Sequence, residues 1–316
     1  MNGIVVIDKP AGLTSHDVVS RVKKILGAKK AGHTGTLDPL ATGVLPVCVG
    51  EATKLAPFLT ADRKRYRATL LLGVETDTQD IQGRETGRSD LVPSEEEIRT
   101  ALQSLTGRIQ QVPPAFSALK HKGRPLYKYA RAGEFPDVAA REVEIFALDV
   151  MSIAHPHVTF EISCSKVTYI RTVCADAGRA LGCGACLSGL RRLQSGCFTE
   201  DMAAPLEEDA AAARPALLEK MLPMAQALPF AAAVEVSEPA AGRLRLGFQP
   251  DAELTLRHVL PFLAARDLNT FLTPAAELLQ LDEFANPSGY IANVNRQTRT
   301  ANLLRVFHPV HPGTPQ

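Results

Sequence analysis

A loop rich in glycine and threonine, residues 32–43, holds the densest group of side chains in this chain that could do chemistry. It reads Gly-His-Thr-Gly-Thr-Leu-Asp-Pro-Leu-Ala-Thr-Gly, with His33 and Asp38 placed among three glycines. Glycine lets a backbone turn tightly or approach a ligand closely. The loop matches neither the phosphate-binding pattern G-x-x-x-x-G-K-[ST] nor the dinucleotide pattern G-x-G-x-x-G. From the residues alone, a structural turn in which the Asp38 carboxylate accepts local N–H groups is favoured.

The cysteines offer a second possible site. Cys183 and Cys186 form a C-x-x-C pattern, which is typical of a redox pair or of half a zinc site. A zinc site needs a second pair of ligands at short spacing. The other cysteines are single and scattered: Cys48, Cys164, Cys174 and Cys197. The pattern therefore favours small, reduced, mostly buried thiols.

Charge is distributed unevenly along the chain, although the net charge is only +1. Residues 1–199 carry 26 Lys and Arg against 20 Asp and Glu, whereas residues 200–316 carry 9 against 14. A local excess of cations is what phosphate binding requires. It is equally typical of a solvated surface on an ordinary enzyme, so charge alone leaves both interpretations open.

Periodicity and turn residues indicate an α+β fold rather than a doubly wound sheet, because strands and helices do not alternate regularly. Thr14-Ser15 offers a helix cap, and Ser94 with Glu97 resembles a capping box. Strands are predicted at 4–8, 65–72, 143–153 and 158–163, and helices after Thr14, after Ser94 and at 168–181; residues 44–49 form an apolar run. No stretch approaches the ~18 apolar residues of a membrane span, and the N-terminus lacks a signal-peptide pattern. We therefore expect a cytoplasmic protein that does not span a membrane.

Several further motifs surround the 32–43 loop and occur in one order across residues 3–198. They are Asp8-Lys9-Pro10, Lys64-Arg65-Tyr66-Arg67, Thr76-Asp77-Thr78-Gln79-Asp80, Ser117-Ala118-Leu119-Lys120, Tyr129-Ala130-Arg131, Cys164-Ser165-Lys166, Thr168-Tyr169-Ile170-Arg171-Thr172 and Leu190-Arg191-Arg192. Together they resemble the bacterial tRNA pseudouridine-55 synthases, the stand-alone pseudouridine synthase II family. The resemblance implies isomerisation of the T-loop uridine of tRNA to pseudouridine.

The resemblance implies catalytic roles for Asp38, Tyr66 and Arg171. Asp38 matches the essential aspartate, and an ionised carboxylate can act as a nucleophile or base beside the ribose and uracil. Arg171 matches the arginine that pairs with that aspartate, which would orient it and keep it ionised. Tyr66 matches a tyrosine that packs on the target base and assists proton removal; from its strand position alone it reads as a core aromatic. Whether Asp38 attacks the sugar, attacks the uracil ring or removes a ribose proton stays open.

Further positions match substrate contacts of the family. Tyr169 and Leu190 match pocket positions, and His33 matches a histidine that fills the space left when the target base is flipped out. Lys9 would face the RNA. The basic segment 120–131 aligns with a mobile segment that closes over the T arm, and its predicted RNA contacts are Lys120, Lys128 and Arg131.

The resemblance also implies the architecture. A catalytic domain with a mixed, mainly antiparallel sheet flanked by helices is expected over 1–233, in which 202–233 is a connecting segment. Residues 234–316 are expected to form a small, divergent, β-rich module resembling the PUA RNA-binding domain. Within it, strands are predicted at 243–248, 290–294 and 303–307, and a helix at about 274–284.

Three positions depart from the family pattern: Val167 replaces a usual glycine, Phe116 a tyrosine and Ala177 a leucine. If position 167 needs positive φ, valine is strained there. Because the isomerisation is redox-neutral and needs no metal to activate a leaving group, we expect no cofactor and no metal. The expected partner is the tRNA T arm, bound by a monomer without a guide RNA. The rival hypothesis is a non-catalytic RNA-binding protein, such as a tRNA folding chaperone.

Overall fold

The computed structural model describes residues 1–60, 63–207, 209–227, 232–233, 275–281, 289–295 and 300–307. Its strands are β1 (Gly3–Lys9), β2 (Ala31–His33), β3 (Thr42–Val49), β4 (Lys64–Leu72), β5 (Val74–Thr76), β6 (Glu85–Arg88), β7 (Gly107–Gln111), β8 (Lys120–His121), β9 (Arg124–Pro125), β10 (Arg141–Ala154), β11 (His157–Cys164), β12 (Ala185–Ser195), β13 (Phe198–Thr199), β14 (Ala204–Pro205), β15 (Ala232–Ala233), β16 (Ala275–Leu281), β17 (Gly289–Asn295) and β18 (Thr300–Phe307). Its α-helices are α1 (Ser15–Leu26), α2 (Ala56–Leu59), α3 (Glu95–Gln103), α4 (Leu126–Arg131), α5 (Ile170–Ala180) and α6 (Ala210–Glu219).

One large mixed sheet organises the chain, in the order β14-β1-β3-β12-β4-β11-β10-β7, with β2 added on β3 and β13 on β12. Only the β1–β14 and β3–β12 pairs are parallel among its described strand pairs. Buried side chains of α1, α3, α5 and α6 pack in one apolar core with side chains of the sheet. The mixed, mainly antiparallel sheet with flanking helices is therefore confirmed.

Local signals start the helices where the sequence predicts. The Thr14 side chain caps α1 and accepts from the Asp17 N–H, and Asp17 accepts in return from the Thr14 N–H. Ser94 and Glu97 form the same reciprocal pair at the start of α3. Each pair satisfies N–H groups that have no partner within the helix.

Strand β4 shows how the sheet sends side chains to two different faces. Its alternate residues from Lys64 to Leu72 are buried, while Arg65 and Arg67 are exposed on the opposite face. Both arginines pair with Glu161 of the neighbouring β11. Because side chains alternate along a strand, this register directs Tyr66 into the core with the helices.

The centre of the sheet depends on a close approach between β3 and β12. Gly43 has φ +96 and lies against the Arg192 backbone; a Cβ at Gly43 would stand only 3.0 Å from the Arg192 nitrogen. Glycine is the residue that accepts both the positive φ and the contact. The pairing attaches the 34–41 loop, which precedes β3, to the end of β12.

The described C-terminal residues form a four-stranded sheet, β15-β16-β17-β18. The strands predicted at 290–294 and 303–307 are confirmed within β17 and β18, whereas the segment predicted at 243–248 lies outside the described residues. The helix predicted at 274–284 is wrong, because 275–281 is strand β16. Residue by residue, β16 pairs antiparallel with β17, and this ladder overrides the helix propensity of its Ala, Glu and Leu residues.

In the part of the chain that the structure describes, no helix combines the length and the apolar character needed to cross a membrane.

Candidate active site

The side chains of Asp38 and Arg171 are in contact, although the two residues lie 133 positions apart in the sequence. Asp38 stands in the loop between β2 and β3, and Arg171 lies in the first turn of α5. The Arg171 Nε atom is 2.9 Å from Asp38 Oδ2, and Nη2 donates to Oδ1 at 3.3 Å. The arginine side chain is 5% exposed and the aspartate 37%. A buried cation therefore holds a carboxylate that still faces solvent.

Arg171 also ties the carboxylate to two loops. Its Nη1 donates to the Thr78 carbonyl at 2.9 Å, and its Nη2 donates to the Phe116 carbonyl at 3.0 Å. A second carboxylate, Asp80, lies 3.7 Å from Nη1. Since a guanidinium is planar and rigid, these contacts fix the plane of the group that orients Asp38.

Tyr66 is buried beside the loop that carries Asp38. Burial raises the pKa of its hydroxyl, and the positive charge of Arg192 opposes that rise. The negative charge of Asp38 adds slightly to the rise. Tyr66 was predicted to act with Asp38 and Arg171; it packs in the main core with Leu37 and Ala41 of the Asp38 loop, and its catalytic role stays a prediction.

Lys9, which was predicted to face the RNA, is buried in the structure. Its side chain is 0% exposed, and its Nζ donates to the carbonyls of Pro10 at 2.9 Å, Pro39 at 3.3 Å and Ala41 at 2.6 Å. Burial lowers the pKa of Lys9 to about 8, although the nearby Asp38 charge acts in the other direction. Lys9 thus holds the backbone just after Asp38. Because lysine side chains are mostly exposed, the sequence gives no sign that this one is buried.

His33 is half-buried at the end of β2. Burial lowers the pKa of its imidazole, with a smaller contribution from Arg192, so the ring is neutral near pH 7. Its Nδ1 atom is buried and has no hydrogen-bond partner among the described residues. A neutral planar ring is suited to stacking, the role predicted for this position.

The backbone at the start of α5 is clamped by a side chain that sequence reasoning missed. The buried Gln111 amide accepts from the Tyr169 N–H at 2.8 Å and donates to the Tyr169 carbonyl at 3.1 Å. The turn before it is closed by Thr168, whose hydroxyl donates to the Ser165 carbonyl at 2.9 Å. Leu190, the other predicted pocket residue, is half-buried on β12 against the main core.

Val167 takes the strained conformation predicted for it. Its φ is +62, and its side chain is 53% exposed. A β-branched residue rarely adopts this region, and the clamped neighbours Thr168 and Tyr169 hold the turn in place. The strain lies four residues before Arg171.

The basic segment 120–131 forms a separate unit, made of the β8–β9 pair and α4. The predicted contact residues Lys120, Lys128 and Arg131 are exposed. The Arg131 guanidinium stacks 5.5 Å from the centre of the Tyr127 ring. Phe116, which precedes this segment in the chain, accepts a hydrogen bond from Arg171 through its backbone carbonyl.

Cys183 and Cys186 are both buried and unpaired. Burial raises the pKa of both thiols, which makes them poor nucleophiles near neutral pH. Within the described residues, no group of three or more His, Cys, Asp or Glu side chains is arranged to hold a metal.

Comparison with known proteins decides the family. A model of the TruB family pseudouridylate synthase N-terminal domain matches residues 23–170, and one of the tRNA pseudouridylate synthase B C-terminal domain matches 171–229. The chain is 50% identical over 309 residues to a tRNA pseudouridine synthase B of Syntrophus aciditrophicus (strain SB), covering 98% of this chain and 99% of that one. This chain belongs to the TruB family.

Other similarities agree with that membership. A tRNA pseudouridine synthase B of Geobacter sulfurreducens is 50% identical over 255 residues, which cover 80% of this chain and 84% of that one. In fold, the chain resembles a crystal structure of a Cbf5-Nop10-Gar1 complex, with a TM-score of 0.69 and 24% identity over 97% of this chain and 85% of that one. Within the TruB-family match, Asp38 and Tyr66 lie in the N-terminal segment and Arg171 begins the C-terminal one, so the ion pair joins both segments.

Proposed function

We propose that this chain isomerises the T-loop uridine of tRNA, position 55, to pseudouridine, and that Asp38 is its catalytic carboxylate. The observation that carries the proposal is the Asp38–Arg171 pair, in which a buried guanidinium orients a partly exposed carboxylate. Relatives that are 50% identical over most of the chain are named tRNA pseudouridine synthase B.

The reaction exchanges one bond to the ribose for another. The bond from C1′ to N1 of uracil breaks, a bond from C1′ to C5 forms, and the hydrogen of C5 leaves as a proton while N1 gains one. Asp38 acts by attack on C1′, by attack on the uracil ring or by removal of a ribose proton, and each route requires an ionised carboxylate. The contacts from Arg171 hold that carboxylate in a fixed position.

Tyr66 and the pocket residues serve the flipped base. Tyr66 packs on the uracil, with its hydroxyl near the C5 proton, and Tyr169 and Leu190 line the same pocket. Extrusion of a base from a folded loop costs about a few kcal/mol. The neutral ring of His33 offsets part of that cost by stacking where the base had been.

The T arm is held by its phosphates. The exposed cations of the basic segment, Lys120, Lys128 and Arg131, supply the charge for these contacts. The protein acts as a monomer in the cytoplasm, without a guide RNA and without a cofactor, since the bond exchange is redox-neutral.

The test uses an unmodified tRNA transcript carrying tritium at C5 of its uridines. Release of tritium to water counts turnovers, because C5 loses its hydrogen when it becomes the glycosidic carbon. We expect one tritium released per tRNA, and none from a matched transcript with cytidine at position 55. Tight binding of both transcripts with no release would contradict the enzyme and favour an RNA-binding chaperone.

A further inference from the structure

Arg192 is a fully buried cation at the junction of the Asp38 loop and the sheet. Its side chain is 1% exposed. The Nε atom donates to the Val44 carbonyl at 2.7 Å, Nη2 to the Gly35 carbonyl at 3.1 Å and Nη1 to the Thr36 carbonyl at 3.4 Å. Thr36 and Gly35 lie two and three residues before Asp38, so the guanidinium holds the backbone of the Asp38 loop.

Arg192 also faces the phenol predicted to act on the base. It pairs in register with Tyr66, across the β12–β4 ladder. The Arg192 charge and its hydrogen bond to the phenol both lower the pKa of the Tyr66 hydroxyl, and burial raises it by more. The other charged or titratable groups that bear on Tyr66 are Asp38, from the loop, and Cys164, from β11, and both raise the pKa.

The Arg192 charge has no carboxylate partner within the described residues. Its contacts there are three carbonyls and a phenol. A buried cation without a counter-ion is costly, and an apolar residue would fill the space at lower cost. The preceding residue, Arg191, is the opposite case: it lies half-exposed and pairs with Asp8 at 3.0 Å and Glu200 at 2.6 Å.

We propose that Arg192 is a positioning residue that acts through Tyr66 and holds its hydroxyl for acceptance of the C5 proton. The positive charge of Arg192 opposes the effect of burial on the phenol and so stabilises the ionised oxygen that takes up this proton. The inference rests on the proposed function. In this step the C5–H bond breaks, its electrons return to the uracil ring, and the proton passes to the Tyr66 oxygen and then to water. Arg192 stays protonated throughout and touches no reacting atom.

Arg192→Met, which removes the charge and keeps the length, is compared with Arg191→Met on the same strand. We expect Arg192→Met to lower kcat for tritium release by about 100-fold, the low end of what general-base catalysis contributes, with KM for tRNA within about threefold. The pH at which kcat is half-maximal moves upward, since Tyr66 loses the charge that lowers its pKa. Arg191→Met keeps the wild-type profile, and Arg192→Lys keeps the wild-type pH midpoint.

A second comparison separates this role from mere packing. In a Tyr66→Phe background, Arg192→Met should cost far less than in the wild type, because most of its effect passes through the missing hydroxyl. Equal losses in both backgrounds, or an unshifted pH midpoint in Arg192→Met, would overturn the inference. If Arg192→Met does not fold, Arg192→Gln, which also removes the charge, gives the same comparison. Absence of tritium release from the wild type would instead refute the proposed function.

Discussion

At the residue scale, Lys9 predicts a pH dependence of stability. Its folded pKa is about 8, below the ordinary value of 10.5, so between these values the unfolded chain holds a proton that the folded chain has released. The free energy of unfolding therefore gains a Lys9 contribution that rises with pH across about 8 to 10.5, with a slope of up to about 1.4 kcal/mol per pH unit.

Lys9→Met removes that contribution while keeping the length of the side chain. Urea unfolding of both proteins at pH values of about 7.5, 8.5 and 9.5 measures it, and the wild type should gain stability relative to the variant as the pH rises. The high Tyr66 pKa affects both proteins alike and cancels in the difference. A constant difference across this pH range would show that Lys9 keeps its proton in the folded state.

Val167 allows the free-energy cost of a β-branched residue at positive φ to be measured. The left-handed region costs an L-residue about 1–2 kcal/mol, and the extra backbone freedom of an unfolded glycine costs about 0.5–1 kcal/mol. Val167→Gly should therefore raise the free energy of unfolding by about 0.5–1 kcal/mol in urea denaturation. Val92→Gly is the control, since Val92 is also exposed but has no positive φ. Equal destabilisation by the two substitutions would contradict the strain at Val167.

At the element scale, the β3–β12 crossing depends on Gly43. Gly107 has nearly the same φ, +95 against +96, but a Cβ there would meet nothing within 4 Å. Gly107→Ala therefore measures the backbone cost alone, and Gly43→Ala adds the clash with the Arg192 backbone. We expect Gly43→Ala to lower the free energy of unfolding by about 1–3 kcal/mol more than Gly107→Ala. Equal losses in chemical denaturation would mean that the strands separate without cost.

Elements with local signals could be predicted from the sequence. The Thr14 and Ser94 caps start their helices at the predicted places, and the β10–β11 hairpin has partners close in sequence. The sheet order could not be predicted in this way. The parallel β3–β12 pair joins strands that lie far apart in the sequence, and strand β16 is set by its neighbour rather than by its composition.

The candidate site shows the same division. The family resemblance gave Asp38, Tyr66 and Arg171, and the structure pairs the first with the last. Lys9 and Arg192 donate to backbone carbonyls, which every residue type has. The sequence therefore could not indicate which segments these two side chains hold, and the structure was needed to find them. Lys9 was therefore expected at the RNA surface and lies in the interior instead.

At the scale of the whole molecule, the charge asymmetry predicts how tRNA binds. Replacing Lys120, Lys128 and Arg131 together by alanine should weaken tRNA binding at low salt. The slope of log Kd against log salt should fall by about 3, one for each phosphate that is no longer neutralised. Arg99→Ala, at an exposed position of α3, is the control. Filter binding over a salt series measures the slope, and a melting curve checks that the variants fold. An unchanged slope would place the tRNA elsewhere on the surface.

Asp38 is the proposed catalytic carboxylate of this TruB-family chain. The measurement is tritium release from C5-tritiated, unmodified tRNA by the wild type and by Asp38→Asn, which keeps the shape of the side chain and removes its charge. The expected result is release by the wild type, none by the variant, and tRNA binding by the two within about threefold, because the carboxylate acts on the bound nucleotide. Release by Asp38→Asn at the wild-type rate would contradict the account.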